Sequence, residues 1–164
     1  MSLIEAMVAM FVLTIGAAGM GSAFLYGMHA ASSSENELIV THKASEAVES
    51  IFSARDSHVI AWAQLRNASS GGIFLDGARQ VTVAGADGVF GTADDGAVES
   101  IQLPGPDQIL GTGDDRSQTL DSFTRQIAIA DSGDNLRIVT VTITYPAGTL
   151  RRTYSVTVFI SRFA

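Results

Sequence analysis

Ile4-Glu5-Ala6-Met7-Val8-Ala9-Met10-Phe11-Val12-Leu13-Thr14-Ile15-Gly16 opens an apolar run that continues through Ala17, Ala18, Met20, Ala23, Phe24, Leu25 and Tyr26. From Leu3 to Met28 the only charged residue is Glu5. About 25 residues at 1.5 Å each span roughly 38 Å, enough to cross the hydrocarbon core of a bilayer. The run is too long for the apolar part of a signal peptide, and no basic segment precedes it. It starts with the chain itself, as it would after removal of a short leader. Residues 1–28 are therefore expected to form a hydrophobic transmembrane helix.

A carboxylate inside such a helix is costly unless it is paired or hydrated. The nearest cation is the α-amino group of Met1. A stagger between parallel helices would bring Glu5 of one copy to the Met1 amine of another and set their register. Alternatively, Glu5 lies close enough to the interface to keep its water. Gly16, Gly19 and Gly21 each weaken a helix by about 1 kcal/mol relative to Ala. They allow either close helix packing or local unwinding.

Working outward, Val40, Ala44, Ala47, Val48, Ile51 and Phe52 recur at helical spacing and make one apolar stripe. Glu35, Glu37, Lys43, Glu46 and Glu49 lie mostly off it. Residues 29–55 thus read as an amphipathic continuation of the first helix, about 80 Å long in all. A break at Ser32-Ser33-Ser34 would give two helices instead.

The run Ser2-Leu3-Ile4-Glu5-Ala6-Met7-Val8-Ala9 resembles the mature start of type IV pilins and pseudopilins, and Ile15-Gly16 with Gly19 is also similar to that family. The likeness is strong over about the first 30 residues and loose over 31–55. It implies cleavage of a leader by a prepilin peptidase, N-methylation of residue 1, and a Glu at the fifth position. Met1 and Glu5 occupy those places. Met1 stands where the family usually has Phe, and Ser22 stands where many members have Pro. The implied fold is α+β, pilin-like: a long N-terminal helix packed on a C-terminal antiparallel β-sheet.

Residues 56–164 read as a β-rich head. His58 to Leu65 is a candidate short helix, and Ser69-Ser70-Gly71-Gly72 a loop. Ile73-Phe74-Leu75 and Val81-Thr82-Val83 are candidate strands joined by a turn at Asp76-Gly77. Further on, Ile127 and Ile129, then Val139, Val141, Ile143 and Tyr145, then Tyr154, Val156, Val158 and Ile160 alternate with mostly polar neighbours. Turns at 131–135 and 146–148 separate these runs. This is the pattern of a three-stranded antiparallel meander with one face on a core, which the stem helix would cover.

Between these parts lies an internal repeat. Residues 85–96 read GADGVFGTADDG and residues 105–116 read GPDQILGTGDDR. The shared pattern places Asp87, Asp94 and Asp95 in register with Asp107, Asp114 and Asp115, twenty residues later. Six carboxylates in two Gly-rich loops repel one another, and calcium takes six to eight oxygen ligands from such loops. The spacing is not that of an EF-hand, but it resembles Asp/Gly calcium loops of some extracellular repeat proteins and of certain pilins and pseudopilins. One or two calcium ions are the expected cofactor. The competing reading is a pair of solvated turns, since Asp and Gly are ordinary turn formers. The apolar pairs Val89-Phe90 and Ile109-Leu110 could pin each loop to the core.

Composition narrows the rest. The 164 residues carry a formal net charge of −7, and their isoelectric point is about 4.7. An acidic surface without a basic track argues against direct nucleic-acid binding. Lys43 is the only lysine and there is no cysteine, so disulfides and thiolate metal sites are excluded. His29, His42 and His58 do not fall into a nucleophile or zinc pattern, and no phosphate-binding loop occurs, so no enzyme is expected. Asn67-Ala68-Ser69 matches a glycosylation sequon, read here as a chance occurrence.

The function expected from these readings is a structural subunit of a bacterial type IV pilus-like filament. Its partners would be further copies of itself, the inner membrane before assembly, the prepilin peptidase and the assembly machinery. It would end in an extracellular filament or a periplasmic pseudopilus. A secretion pseudopilin or minor pilin shares the same N-terminal signature. A non-polymerising, membrane-anchored calcium-binding module is the alternative from another class.

Overall fold

One α-helix, α1, runs without interruption from Leu3 to Asp56 in the computed structural model, which describes residues 3–148 and 150–163. Its 54 residues correspond to a rod of about 81 Å. The serines at 32–34 do not break it. Hydroxyls inside its apolar half are satisfied by the helix's own carbonyls: Thr14 Oγ1 donates to Met10 O at 2.6 Å and Ser22 Oγ to Gly19 O at 2.9 Å. The helix ends in a Schellman arrangement. His58 takes a left-handed φ of 59°. Its N–H donates to Arg55 O, and the Val59 N–H donates to Ala54 O.

The two halves of α1 have opposite surroundings. The segment Leu3–Met28 is long and apolar enough to cross a membrane, and none of its most apolar window is buried within the chain. From Ile39 onward the apolar stripe goes under the head: Val40, Ala44, Ala47, Val48 and Ile51 are all buried. Lys43 is buried with them, against expectation. Its ammonium pairs with Glu46 at 2.7 Å and with Glu99 at 2.5 Å.

The sheet that covers the stripe has the order β1-β4-β5-β6, formed by β1 (Arg79–Gln80), β4 (Thr124–Asp131), β5 (Leu136–Ala147) and β6 (Leu150–Ser161). The three long strands are the expected antiparallel meander. Their inner face sends Ile127, Val139, Val141, Ile143, Tyr145 and Ile160 into the core. Their outer face is a polar ladder, in which the Thr140 and Thr157 hydroxyls lie 3.1 Å apart and those of Thr142 and Ser155 2.9 Å. A separate two-stranded ladder pairs β2 (Ser100–Leu103) with β3 (Arg116–Thr119).

The segment 57–80 departs from expectation. The candidate helix at 58–65 reduces to one 3-10 turn, Trp62–Gln64. Ile73-Phe74-Leu75 contributes a single bridge, Phe74 to Asn67, and Val81-Thr82-Val83 a single bridge, Thr82 to Val98. Between 57 and 75, side-chain contacts rather than ladders hold the chain. The Asn67 amide replaces a strand beside β4: Nδ2 donates to Ile127 O at 2.8 Å and Oδ1 accepts from the Ile129 N–H at 2.7 Å. Arg137, from β5, ties down the chain at 62–65. It is buried, stacks on the Trp62 ring at 4.2 Å, and donates to the Trp62 carbonyl and to Leu65 O, the latter at 2.7 Å.

Candidate functional site

Two regions bear on function: the bare half of α1 and the repeated Asp/Gly loops. Glu5 sits in the first turn of α1, where a carboxylate is favoured by the helix dipole. Met1, its expected partner in a neighbouring copy and the expected methylation site, lies outside the described residues. A Cβ at Gly16, Gly19, Gly21 or Gly27 would meet nothing within 4 Å. Among the described residues no contact therefore requires those glycines.

The sequence repeat is also a structural repeat. Each loop caps a two-stranded antiparallel stem. The first stem runs from Val81–Val83 to Ala97–Glu99, through Val83 N–H to Ala97 O and Glu99 N–H to Val81 O. The second is β2–β3. Val83 and Leu103 enter the loops at equivalent points, and Gly96 and Arg116 leave them.

Inside the loops the aspartates act as acceptors. Asp87 Oδ1 takes the Val89 N–H at 2.8 Å, and Asp107 Oδ1 takes that of Ile109 at 2.9 Å. Asp94 Oδ1 accepts the Thr92 hydroxyl at 2.7 Å, and Asp114 Oδ1 that of Thr112 at 2.6 Å. Asp95 Oδ2 accepts the Gly91 N–H at 2.8 Å, and Asp115 Oδ2 that of Gly111 at 2.6 Å. The threonine hydroxyls, and then the backbone N–H groups of the facing residues, hold the Asp94 and Asp114 carboxyls below the usual carboxylate range, outweighing partial desolvation. Gly88 and Gln108 take the same left-handed conformation, as do Gly91 and Gly111.

The loops differ in what they touch. Val89 and Phe90 are 0% and 7% exposed, and the Phe90 ring lies under the Arg125 guanidinium at 4.3 Å. Their counterparts Ile109 and Leu110 are each 60% exposed. The expectation that both pairs pin their loops to the core holds for the first loop and fails for the second. The reason is the stem: among the described residues β2 and β3 pair only with each other and carry the second loop away from the core.

The loop oxygens are of the hard type that calcium takes. Among the described residues, however, no three His, Cys, Asp or Glu side chains converge where a metal ion would sit. The structure places Asp114 against the Asp107 N–H at 3.4 Å and Asp94 against the Asp87 N–H at 3.3 Å. It does not gather six carboxylates into one cage. Sequence reasoning also missed the Arg125–Phe90 stack and the buried Lys43–Glu99 pair, whose partners lie far apart in the chain.

The Asn67 side chain is buried and both its amide atoms are engaged, so the sequon is not presented to solvent. Comparison with family models, with curated proteins and with solved structures finds no match to this chain.

Proposed function

We propose that this chain is the structural subunit of a type IV pilus-like filament, polymerising through the exposed half of α1. The observation that carries the reading is the rod itself. A single helix joins an apolar half, bare on every side, to a half locked under a β-sheet head. A membrane anchor needs only the first half and tolerates any joint between anchor and head. A filament subunit needs both halves rigidly continuous, so that helix packing in the core fixes where the head sits. The glycines support the same reading. They cost helix stability and meet nothing among the described residues, as expected where a neighbouring helix approaches closely. Glu5, paired to the Met1 amine of the next copy, would set the stagger.

The test is to shear filaments from cells and take the intact mass of their dominant protein. Dominance of this chain, starting at Met1 with one added methyl group, supports a major subunit. A processed chain found only as a trace component or in the membrane points to a minor pilin or a secretion pseudopilin. An unprocessed, unmethylated chain that never leaves the membrane sinks the filament reading and favours the anchored module.

Calcium enters this proposal on donor chemistry alone. Asp87 with Asp94, and Asp107 with Asp114, would hold it, and it would offset the repulsion that hydrogen bonds only partly relieve. A fall in melting temperature on chelation, restored by calcium, is the expected result. An unchanged temperature removes calcium and leaves the filament reading intact, because the loop hydrogen bonds stand without it.

A further inference from the structure

The two loops share one internal framework and differ in the fate of one apolar pair. In the first loop the pair is core. In the second, Ile109 and Leu110 stand exposed at the tip of a stem whose strands, among the described residues, pair only with each other. Adjacent apolar side chains held on a rigid projection are an anchor without a pocket in their own chain.

A pocket of suitable character lies elsewhere on the head. A cavity of about 280 Å³ opens between the first loop and the β1 edge, lined by Leu75, Arg79, Gln80, Arg125 and Ile127 and by one carboxylate, Asp95, among others. Its size is at the small end of ligand pockets, a fit for one or two side chains. Leu75 and Ile127 supply apolar wall. Arg79 on its rim is exposed and makes no ion pair or side-chain hydrogen bond among the described residues. Arg125 is buried, and its Nη1 has no hydrogen-bond partner. The second loop brings the complement: an aliphatic pair flanked by the carboxylates of Asp107 and Asp114, both exposed.

We propose that loop 105–116 of one copy docks on the head of the next, seating Ile109 and Leu110 in the cavity beside Arg79 and Arg125. Tip and cavity are different parts of the surface, so the contact is head-to-tail. Such contacts propagate into open helical arrays rather than closing as dimers. The inference rests on the filament reading and adds to it a second contact, between heads, independent of the α1 core.

The chain has no cysteine, which makes cross-linking clean. Full-length protein carrying Ile109→Cys with Gln80→Cys is expressed in cells and treated with a short bis-maleimide, and sheared filaments are resolved by denaturing electrophoresis. A ladder of dimers, trimers and higher species is expected from the double variant, and only monomer from either single one. Dimers from Ile109→Cys alone would mean a tip-to-tip contact and overturn the proposal. Filaments without a ladder also overturn it while leaving the filament reading standing. Absence of filaments from the unsubstituted chain overturns both. As a second readout, Leu110→Asp should leave the amount of membrane-bound subunit unchanged and cut sheared filament by about tenfold or more, the equivalent of one buried aliphatic anchor. Undiminished filament from Leu110→Asp sinks the docking on its own.

Discussion

A Cβ placed on Gly85 would lie 2.3 Å from the carboxylate carbon of Asp94 and 2.5 Å from its backbone oxygen. The backbone crosses itself at this point, and only hydrogen fits between. Gly105 stands in the same relation to Asp114. Gly85→Ala should destabilise the head by about 1–3 kcal/mol, because the loop it distorts carries Val89 and Phe90 into the core. Gly105→Ala makes the same clash in a loop that seats nothing in its own chain, so global stability should barely change. Urea melts of the two variants check this, and equal losses would refute the contrast.

Removing the Asn67 side chain strands the Ile127 carbonyl and the Ile129 N–H on an interior strand edge. Asn67→Ala should therefore cost about 1–3 kcal/mol, the usual penalty for an orphaned buried polar group. Asn67→Asp loses the donor and sets a carboxylate against the buried Ile127 carbonyl, and should cost at least as much as Asn67→Ala. A variant as stable as the parent in denaturant titration would show that water reaches this edge.

Arg137→Lys preserves charge but not shape. Lysine cannot stack on Trp62 while also reaching Leu65 O and Asp131, which the guanidinium does through separate nitrogens. The 57–75 segment should loosen first. Faster amide exchange there, with β5 and β6 still protected, is the expected pattern. Uniform loss of protection would mean that the segment folds as one unit with the sheet.

Acid should weaken the loops through Asp94 and Asp114. Both carboxyls are held below their ordinary value in the folded chain, so the unfolded state binds protons first as pH falls. Their contribution is complete above the unfolded value, about pH 4, and disappears as pH drops through the lower folded values. Asp131 adds to the same limb through its pairing with Arg137 and Arg66. Replacing the hydroxyl donor, as in Thr112→Val, should raise the Asp114 pKa in a carboxyl NMR titration. An unmoved pKa would assign the shift to the backbone donors instead.

Glu5→Ala should insert into membranes as well as the parent and give far fewer filaments. Shearing the cells and probing both fractions checks this. Normal filament yield would count heavily against a register role for Glu5.

The stem and the meander are legible in the sequence because burial there is periodic: Val40, Ala44, Ala47 and Ile51 on one helical stripe, Val139, Val141 and Ile143 on alternate strand positions. Segment 57–80 has no period to read. Its order comes from Asn67 and Arg137, single polar residues whose partners lie 60 and more positions away. Lys43 was misplaced for a related reason, since its position on the helix says nothing of Glu99 waiting beneath. The loops lie between these cases. Their repetition is visible at once, but Asp, Gly and Thr at those spacings serve a self-bonded turn as readily as a metal loop. Nor does any feature of the repeat itself reveal that one pair is buried and the other displayed; that depends on which strands the stems join.

Because the second loop closes on its own hydrogen bonds and its stem ends at Leu103 and Arg116, it behaves as a cassette. Its crown at 108–110 joins the frame through backbone groups, the Gln108 and Ile109 N–H and the Ile109 carbonyl, and among the described residues its side chains add no hydrogen bond. New side chains there would alter what the subunit presents without asking the rest of the head to refold. Exchanges at 109 and 110 would thus retune or abolish the contact between subunits while leaving each subunit folded, so that assembly and folding can be varied separately.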